Sequence, residues 1–223
     1  ACDALDEADH LEMLSLQEDL EERFDAVSAY AAFNARYPDR PRALFREGRA
    51  RLEAGDERGL DCLERCMALD ADATLQACEL AWRHLQGRDA TRAKAYETRW
   101  RERQALLDRI QDQLANPDAG QRLLPHGLDA GTIERIEQVL DEVRQHCEAV
   151  YLLRRQLPAA PQRVTHVLVV QPSRGIRFKG RADVLIQALR AADWPVELMV
   201  LAQGDVPRLW RQHLRVHQAS RLN

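Results

Sequence analysis

The sequence lacks the motifs on which the common catalytic sites are built. It contains no His-Glu-x-x-His pair for zinc hydrolysis, no Gly-x-Ser-x-Gly turn for a nucleophilic serine, and no Walker loop or Gly-x-Gly-x-x-Gly fingerprint for phosphates. Each of these motifs supplies groups that its reaction needs at a fixed spacing. We therefore predict that these 223 residues hold no catalytic residue, no metal site and no cofactor.

Long apolar runs and a disulfide framework are also missing. No run of apolar residues approaches the roughly 18 that a membrane-spanning helix needs. The five cysteines are an odd number without the spacing of a disulfide scaffold, which favours a reducing compartment. The sequence thus predicts a cytoplasmic chain without a membrane span. Because it begins at Ala1 and not at a methionine, we expect it to be a piece of a longer protein, with any targeting or catalytic segment upstream of it.

Aromatic residues make up only 5% of the chain, and the formal net charge is −4. Nucleic-acid recognition needs a basic face or aromatic rings that stack on bases, so we predict no nucleic-acid partner. The charge is uneven, with ten acids against one base in the first 25 residues and ten Lys and Arg against four acids from Ala159 onward. This gradient is either a device that steers a partner or an ordinary solvated surface, and we favour the second interpretation.

The strongest pattern that is present is a pair of amphipathic helices. From Pro41 to Ala71, apolar residues recur at helical spacing on both sides of Gly55-Asp56. A glycine followed by a capping aspartate is typical of the point where one helix ends and the next begins. The sequence therefore predicts two antiparallel helices, with Gly48 small enough to let them approach closely.

This stretch resembles a tetratricopeptide repeat. The residues that fall on the pattern of that repeat are Leu44, Gly48, Gly55, Asp56, Gly59, Leu63, Cys66, Leu69 and Asp70. It departs from the pattern in lacking one residue after the turn, in having Glu47 where leucine is usual, and in having Ala71 in place of the closing proline. Ala26–Pro38 matches the second helix of a preceding unit, and Leu75–Leu114 a third unit with a long capping helix. The resemblance, over about residues 24–115, implies a helical-repeat domain at residues 1–118.

Tetratricopeptide repeats bind protein, so the resemblance implies a protein or peptide partner. The first helices of the units would form a concave face, on which charged side chains set the choice of partner. The candidate contacts are Arg42, Arg46, Arg49, Glu53, Glu79 and Arg83.

Residues 119–223 predict a small α/β domain. A long amphipathic helix is expected from about Thr132 to Gln156, followed by a strand at Val164–Val170, a helix at about residues 181–192 and a second strand at Val196–Ala202. A crossover of this length predicts parallel strands in a βαβ unit. A last helix is expected from Asp205, and Leu222 is a candidate for a short third strand. The predicted fold class is thus mainly α, with a tetratricopeptide-like repeat followed by a small α/β domain.

The segment after the first predicted strand, residues 171–181, is the one candidate for a ligand site in that domain. It lies at the carboxyl end of a strand and leads into a helix, two positions that often bind anions. Its four cations, Arg174, Arg177, Lys179 and Arg181, are candidate contacts for a phosphate or an acidic peptide. The alternative, which we favour, is a solvated connection.

Two groups of histidine or cysteine residues are candidates for a metal site, and each has a simpler interpretation. His213 and His217 are one helical turn apart but have no glutamate between them, and Arg211 and Arg215 lie beside them, which favours surface histidines. Cys62 and Cys66 are also one turn apart, and Cys78 lies on the next predicted helix. Because Cys66 occupies a packing position of the repeat, we interpret these cysteines as core residues.

The order of elements also resembles the carboxy-terminal region of the HtpX-like bacterial membrane zinc metallopeptidases. The segments that carry this resemblance are residues 37–70, 95–104, 122–129 and 151–171. It implies the soluble regulatory or substrate-handling region of a membrane peptidase, and none of that class's metal ligands matches a residue here. Our leading hypothesis is a non-catalytic protein–protein interaction module. The alternatives are part of a zinc metallopeptidase whose His-Glu-x-x-His lies outside this chain, and an anion or ligand sensor in the α/β domain.

Overall fold

A computed structural model describes residues 6–20, 23–117, 120–178, 180–208, 210–211, 214 and 221–222. The chain divides into two compact units, Ala1–Leu106 and Leu107–Asn223, which we call the helical unit and the mixed unit. The division falls inside a long helix, whereas the sequence predicts a boundary after that helix, at residue 118. Within the described residues, no helix is both long and apolar enough to cross a bilayer.

The helical unit consists of successive helices joined by short turns. They are α1 (Glu7–Leu20), α2 (Ala26–Arg36), α3 (Pro41–Glu53), α4 (Arg58–Leu69), α5 (Thr74–Leu85) and α6 (Ala90–Ala115), the last of which continues into the mixed unit. The positions of α2 to α6 agree with the predicted helices. Helix α1 lies in the acidic amino-terminal stretch, for which no helix was predicted.

Local sequence explains where these helices begin and end. Asp25 accepts a hydrogen bond from the Ser28 backbone N–H (3.1 Å) and caps α2, and Pro41 occupies the first turn of α3. Gly55 and Gly87, which follow α3 and α5, both have φ of +80°, a conformation that glycine adopts without strain. The turns predicted from the glycine positions are therefore confirmed.

Helices α3 and α4 approach each other so closely that only glycine fits at the contact. A Cβ atom added to Gly59 would lie 2.5 Å from the carbonyl oxygen of Gly48, and one added to Gly48 would lie 2.9 Å from the side chain of Leu63. Around this contact, Leu52, Leu60 and Leu63 are buried in the core that α3 and α4 share with α5. The close approach predicted from Gly48 is confirmed.

The mixed unit contains a small sheet with helices. Its elements are β1 (Arg122–Pro125), α7 (Ala130–Asp141), β2 (Cys147–Leu157), β3 (Ala160–Pro172), α8 (Arg174–Phe178), α9 (Ala182–Ala191), β4 (Leu198–Ala202) and β5 (Arg221–Leu222). The strand order is β1-β2-β3-β4, and β5 also pairs with β2. Strands β3 and β4 are parallel and the other pairs are antiparallel. The mainly helical fold, the later sheet and the parallel strands on either side of a helix agree with the predicted fold class.

The predicted helix at Thr132–Gln156 is wrong beyond Asp141. Helix α7 ends at Asp141, and residues 147–157 form β2, which pairs with β3 along almost its whole length. The apolar residues of that stretch satisfy either a helical or a strand spacing over a few turns. Long-range pairing with β3 decides the outcome, and neither this pairing nor strand β1 was expected.

The two faces of the sheet pack against different helices. On one face, Leu152, Leu168 and Val200 form a core with α7 and α9. On the other face, Leu153, Val167 and Val169 pack with Trp210 and Leu214, where the described residues of the predicted last helix lie. Because both faces are covered, β3 is buried from Thr165 to Val170.

Candidate functional site

Four of the six predicted partner contacts lie on α3 and two on α5. Arg42, Arg46, Arg49 and Glu53 follow one another at spacings of three or four residues, which places them along one side of α3. Glu79 and Arg83 are likewise one turn apart on α5. Arg42, Glu53, Glu79 and Arg83 are exposed, whereas Arg46 and Arg49 are partly buried.

Arg46 and Arg49 are occupied by a carboxylate of the same chain. Both guanidinium groups form ion pairs with Glu18 of α1, with 2.5 Å between Arg46 Nη1 and Glu18 Oε2. The Tyr30 hydroxyl donates to the same Glu18 oxygen at 2.7 Å. The acidic amino-terminal helix therefore meets the basic side of α3, so these two arginines are available to a partner only if Glu18 is displaced.

The environment of Glu18 shifts its pKa. Burial alone would raise the pKa of this carboxyl, but the hydrogen bonds from Tyr30 and Arg46 and the charge of Arg49 together outweigh burial and lower it. Burial, followed by the hydrogen bond to Glu18, raises the pKa of Tyr30 to about 12. At neutral pH the cluster thus holds an ionised Glu18 and a neutral Tyr30.

Glu47, which lies where a tetratricopeptide repeat has leucine, is also paired. It is buried, and its carboxylate accepts from Asn34 Nδ2 at 2.7 Å and from Arg51 Nε at 2.7 Å. Arg51 in turn donates to Asp56 at 2.8 Å, at the turn between α3 and α4. Glu47 therefore links three neighbouring segments through hydrogen bonds, where a tetratricopeptide repeat would have an apolar leucine.

The helical unit has a groove between α5 and α6 with tryptophan on both sides. Its volume is about 350 Å³, within the range of small ligand pockets. Trp82 of α5 and Trp100 of α6 contribute the apolar walls and are partly exposed. The complete lining is Cys78, Glu79, Trp82, Glu97, Trp100 and Arg101. The groove therefore brings one predicted contact, Glu79, next to two large aromatic side chains.

The charged groups at the rim of the groove are paired within their own helices. Glu79 accepts from Arg83 at 2.5 Å, and Glu97 accepts from Lys94 at 2.8 Å and pairs with Arg101. The hydrogen bond from Lys94 is the main reason that the pKa of Glu97 is lowered. With its charges paired, the groove offers mainly an apolar surface.

The sequence predicts the two helices that carry Trp82 and Trp100 but not the groove between them. Both residues lie on the apolar stripes of their helices, and a stripe alone does not reveal whether a further helix covers it. The signal that could have found the groove is the pairing of two tryptophans in a chain with four, since tryptophan is often a major contributor to protein interfaces.

The predicted anion contacts do not lie in a loop. Residues 174–178 form the short helix α8, which carries Arg174 and Arg177, and Arg181 directly precedes α9. Arg177 donates to Glu148 at 3.2 Å, so it already has an anionic partner. Lys179 lies outside the described residues, and anion binding at this segment stays a prediction.

The described part of the chain contains no group of three or more His, Cys, Asp and Glu side chains that could hold a metal ion. Cys66 and Cys78 are fully buried, and the Cys78 Sγ lies 3.6 Å from the Met67 Sδ. Burial raises the pKa of the Cys62 and Cys66 thiols to about 11, so neither is a reactive thiolate at neutral pH. His213 and His217 lie outside the described residues.

Comparison with known proteins adds no relative to this picture. No family model, no curated protein and no solved structure matches the chain.

Proposed function

We propose that this chain is a non-catalytic protein–protein interaction module, and that the groove between α5 and α6 is its principal contact. The observation that carries the proposal is the pair of partly exposed tryptophans, Trp82 and Trp100, on opposite walls of an open groove. Buried aromatic anchors in such grooves supply most of the affinity in many protein interfaces. The occupant that fits is an amphipathic helix that inserts apolar side chains between the two rings.

The paired charges of the rim support the same proposal. Glu79 and Glu97 already have cationic partners, so a bound helix gains little from a long-range charge attraction. Its affinity then comes from apolar contact, which depends weakly on salt. Arg42 and Glu53, the two exposed predicted contacts on α3, provide a second charged surface for a longer partner.

The family assignments are part of the proposal. Successive helices joined by short turns support a tetratricopeptide-like repeat, and we propose that α1 is the first helix of the preceding unit whose second helix is α2. We further propose that the chain is the soluble regulatory or substrate-handling region of a membrane zinc metallopeptidase. The resemblance of the sequence is the support for that second assignment, and a His-Glu-x-x-His in the coding sequence upstream of Ala1 would test it.

The groove is tested with a photoreactive amino acid placed at its rim. Benzoyl-phenylalanine at Glu79 should crosslink a partner in a lysate of the source cell, and the same group at Asp61, exposed on α4, should not. The crosslinked protein is identified by mass spectrometry, purified, and titrated against Trp100→Ala. We expect a loss of affinity of about 30-fold, equivalent to about 2 kcal/mol for an interface anchor.

Two results would contradict the proposal. The first is equal crosslinking from positions 79 and 61, which would mean non-specific contact. The second is an identified partner that binds Trp100→Ala and Glu79→Lys as tightly as it binds the unmodified chain. Glu79→Lys controls for folding, because Glu79 is exposed and forms its ion pair with the exposed Arg83.

A further inference from the structure

In the part of the mixed unit that the structure describes, the sheet ends in the edge strand β4. Among the described residues β4 pairs with β3 alone. The His166 N–H donates to the Glu197 carbonyl at 3.0 Å, and in a parallel ladder successive residues turn alternately toward and away from the neighbour. The backbone groups of Leu198, Val200 and Ala202 therefore point away from β3, to the open edge. One of them, the Val200 carbonyl, accepts from the Arg190 side chain at 3.2 Å.

A groove of about 400 Å³ runs along this edge. Four consecutive residues of β4, from Leu198 to Leu201, line it. A groove lined by consecutive residues of a strand follows the edge of the sheet, because alternate side chains point to opposite faces. Leu114 and Ala115 of α6 flank it, and Arg155, Thr165, His166, Arg190 and Glu197 complete the polar part of its lining.

Arg155 is the unusual residue of this groove. Its side chain is 2% exposed, yet it forms no ion pair with a carboxylate of the described residues. Its Nη1 lies 3.4 Å from Gln121 Oε1 and 3.3 Å from Met199 Sδ, its Nη2 donates to the Leu114 carbonyl at 3.1 Å, and its Nε has no partner. Burial lowers the pKa of this guanidinium, and the charge of Glu197 opposes that shift only in part.

The contact with the Leu114 carbonyl gives Arg155 a structural role as well. A cation at the carboxyl end of α6 is favoured by the helix dipole, which contributes only about half an elementary charge. A buried guanidinium needs a full negative charge and several hydrogen-bond acceptors to offset the loss of hydration. The described part of the mixed unit supplies neutral acceptors to Arg155, and the one carboxylate in the groove, Glu197, is paired with Arg163 at 3.0 Å.

We propose that the groove beside β4 binds an extended segment of another protein, which adds a strand to the sheet and places a carboxylate side chain against Arg155. The outward backbone groups of Leu198 and Ala202 and the Val200 N–H provide the hydrogen bonds of the added strand, whereas the Val200 carbonyl already accepts from Arg190. Arg155 begins on β2 but reaches β4, since its Nη1 touches the side chain of Met199. A carboxylate on the added strand, on the face that carries Met199, would be one strand spacing of about 4.8 Å from that point.

This site is independent of the groove between α5 and α6 and takes a different ligand. The helical unit presents apolar walls with paired rim charges, which suits a helix. The edge of β4 presents backbone donors and acceptors with an uncompensated cation, which suits an extended acidic segment. A failure of one proposal therefore leaves the other standing.

The test uses the full chain and two labelled peptides. One is an extended heptapeptide of alternating threonine and valine with a central glutamate, and the other has glutamine in its place. Fluorescence anisotropy should show that the glutamate peptide binds at least about tenfold more tightly, because a hydrogen bond to a buried charge is stronger than a neutral one. Arg155→Met should remove this difference.

A second variant tests the backbone bonds without touching the charge. Ala202 has φ of −71°, a value that proline adopts, and its N–H points to the open edge. Ala202→Pro should therefore fold normally, with an unchanged circular dichroism spectrum, and weaken both peptides by about threefold to tenfold through the loss of one hydrogen bond.

Three results would overturn the proposal. One is equal binding of the glutamate and glutamine peptides, and another is unchanged binding to Ala202→Pro. The third is a chain that binds neither peptide but self-associates in a manner that Ala202→Pro abolishes, which would assign the edge to a second copy of this chain. If Arg155→Met does not fold, the two peptides and Ala202→Pro still decide the question.

Discussion

The helical unit and the mixed unit differ in how they compensate a charged side chain that is buried. In the helical unit, the buried Glu47 meets Arg51, and the partly buried Arg46 meets Glu18. In the mixed unit, the buried Arg155 meets two neutral oxygens and a sulfur. The helical unit thus pairs its buried charges with opposite charges, whereas Arg155 has no ion pair among the described residues, a difference that supports the proposed role of Arg155 in binding.

The same contrast separates the two proposed binding surfaces. The groove between α5 and α6 has rim charges that are satisfied by their own helices, so what it offers is apolar surface. The groove along β4 offers backbone groups and a cation. Binding at the first should change little with salt. Binding of a carboxylate in the groove along β4 should weaken as the salt concentration rises. The loss should be small if the groove excludes solvent, because salt screens buried charges less than exposed ones.

The largest effect is expected from breaking the buried pair in the helical unit. Arg51→Met leaves the buried Glu47 with the neutral partners Asn34 and Cys62, and a buried carboxylate without a cation is costly. We expect the free energy of unfolding to fall by about 3–5 kcal/mol. Denaturant unfolding, with hydrogen exchange of α2 to α4 to locate the loss, measures it. A loss below about 1 kcal/mol would mean that Glu47 is not paired as described.

The close contact of α3 and α4 should be the next most sensitive point. Gly59→Ala places a Cβ atom 2.5 Å from the Gly48 carbonyl oxygen, so the helices must separate, at about 2–3 kcal/mol. The matched control is Gly175→Ala, where the added Cβ meets nothing within 4 Å. Thermal unfolding should show a lower midpoint for the first variant than for the second. Equal midpoints would show that the contact is looser than described.

A smaller effect is expected from Glu18, and it should depend on pH. The pKa of Glu18 is lower in the folded chain than in the unfolded chain, where it is about 4.3. The ionised Glu18 therefore stabilises the fold at pH values above about 4.3, and this stabilisation is lost as the pH falls through the folded-state pKa. Glu18→Gln should cost about 1–2 kcal/mol at pH 7 and less at pH 3. Unfolding curves at both values check this. A cost that is the same at pH 3 and pH 7 would contradict the ion pairs.

The smallest effect is expected from Arg155, which has no ion pair among the described residues. Arg155→Met loses three weak contacts but also removes a buried cation, and these changes oppose each other. We expect the free energy of unfolding to change by less than about 1 kcal/mol in either direction. Denaturant unfolding at pH 7 is the measurement, and a large loss would reveal a compensating group that the described contacts do not include.

The sequence predicts the helical unit better than the mixed unit. Helices depend on local hydrogen bonds, whereas strands depend on partners that are distant in the sequence. Helices α2 to α6 are formed by local hydrogen bonds, so the spacing of Leu44, Leu52 and Leu63 and the turns at Gly55 and Gly87 were sufficient to place them. Strand β2 exists because it pairs with β3, and the sequence between Cys147 and Leu157 does not reveal that partner. The parallel pair β3 and β4 was predictable, since a continuous apolar strand followed by a helix and another strand is typical of a βαβ unit.

The candidate functional site could likewise be predicted only in part from the sequence. The charged residues of α3 and α5 could be placed on one side of their helices, but the sequence does not show that Glu18 would occupy Arg46 and Arg49. Nor does it show that Trp82 and Trp100 would face each other across an open groove. Arg155 carries no motif, and only the packing of β2, β4 and the end of α6 around it reveals a buried arginine without a carboxylate.

The most direct test of the contrast between the units is one comparison within a single chain. The free energies of unfolding of Arg51→Met and Arg155→Met are measured by denaturant titration at pH 7, each followed by hydrogen exchange in its own unit. We predict that the first variant loses at least about 2 kcal/mol more than the second, because only the first leaves a buried charge without its partner. Equal losses in the two variants would contradict the account.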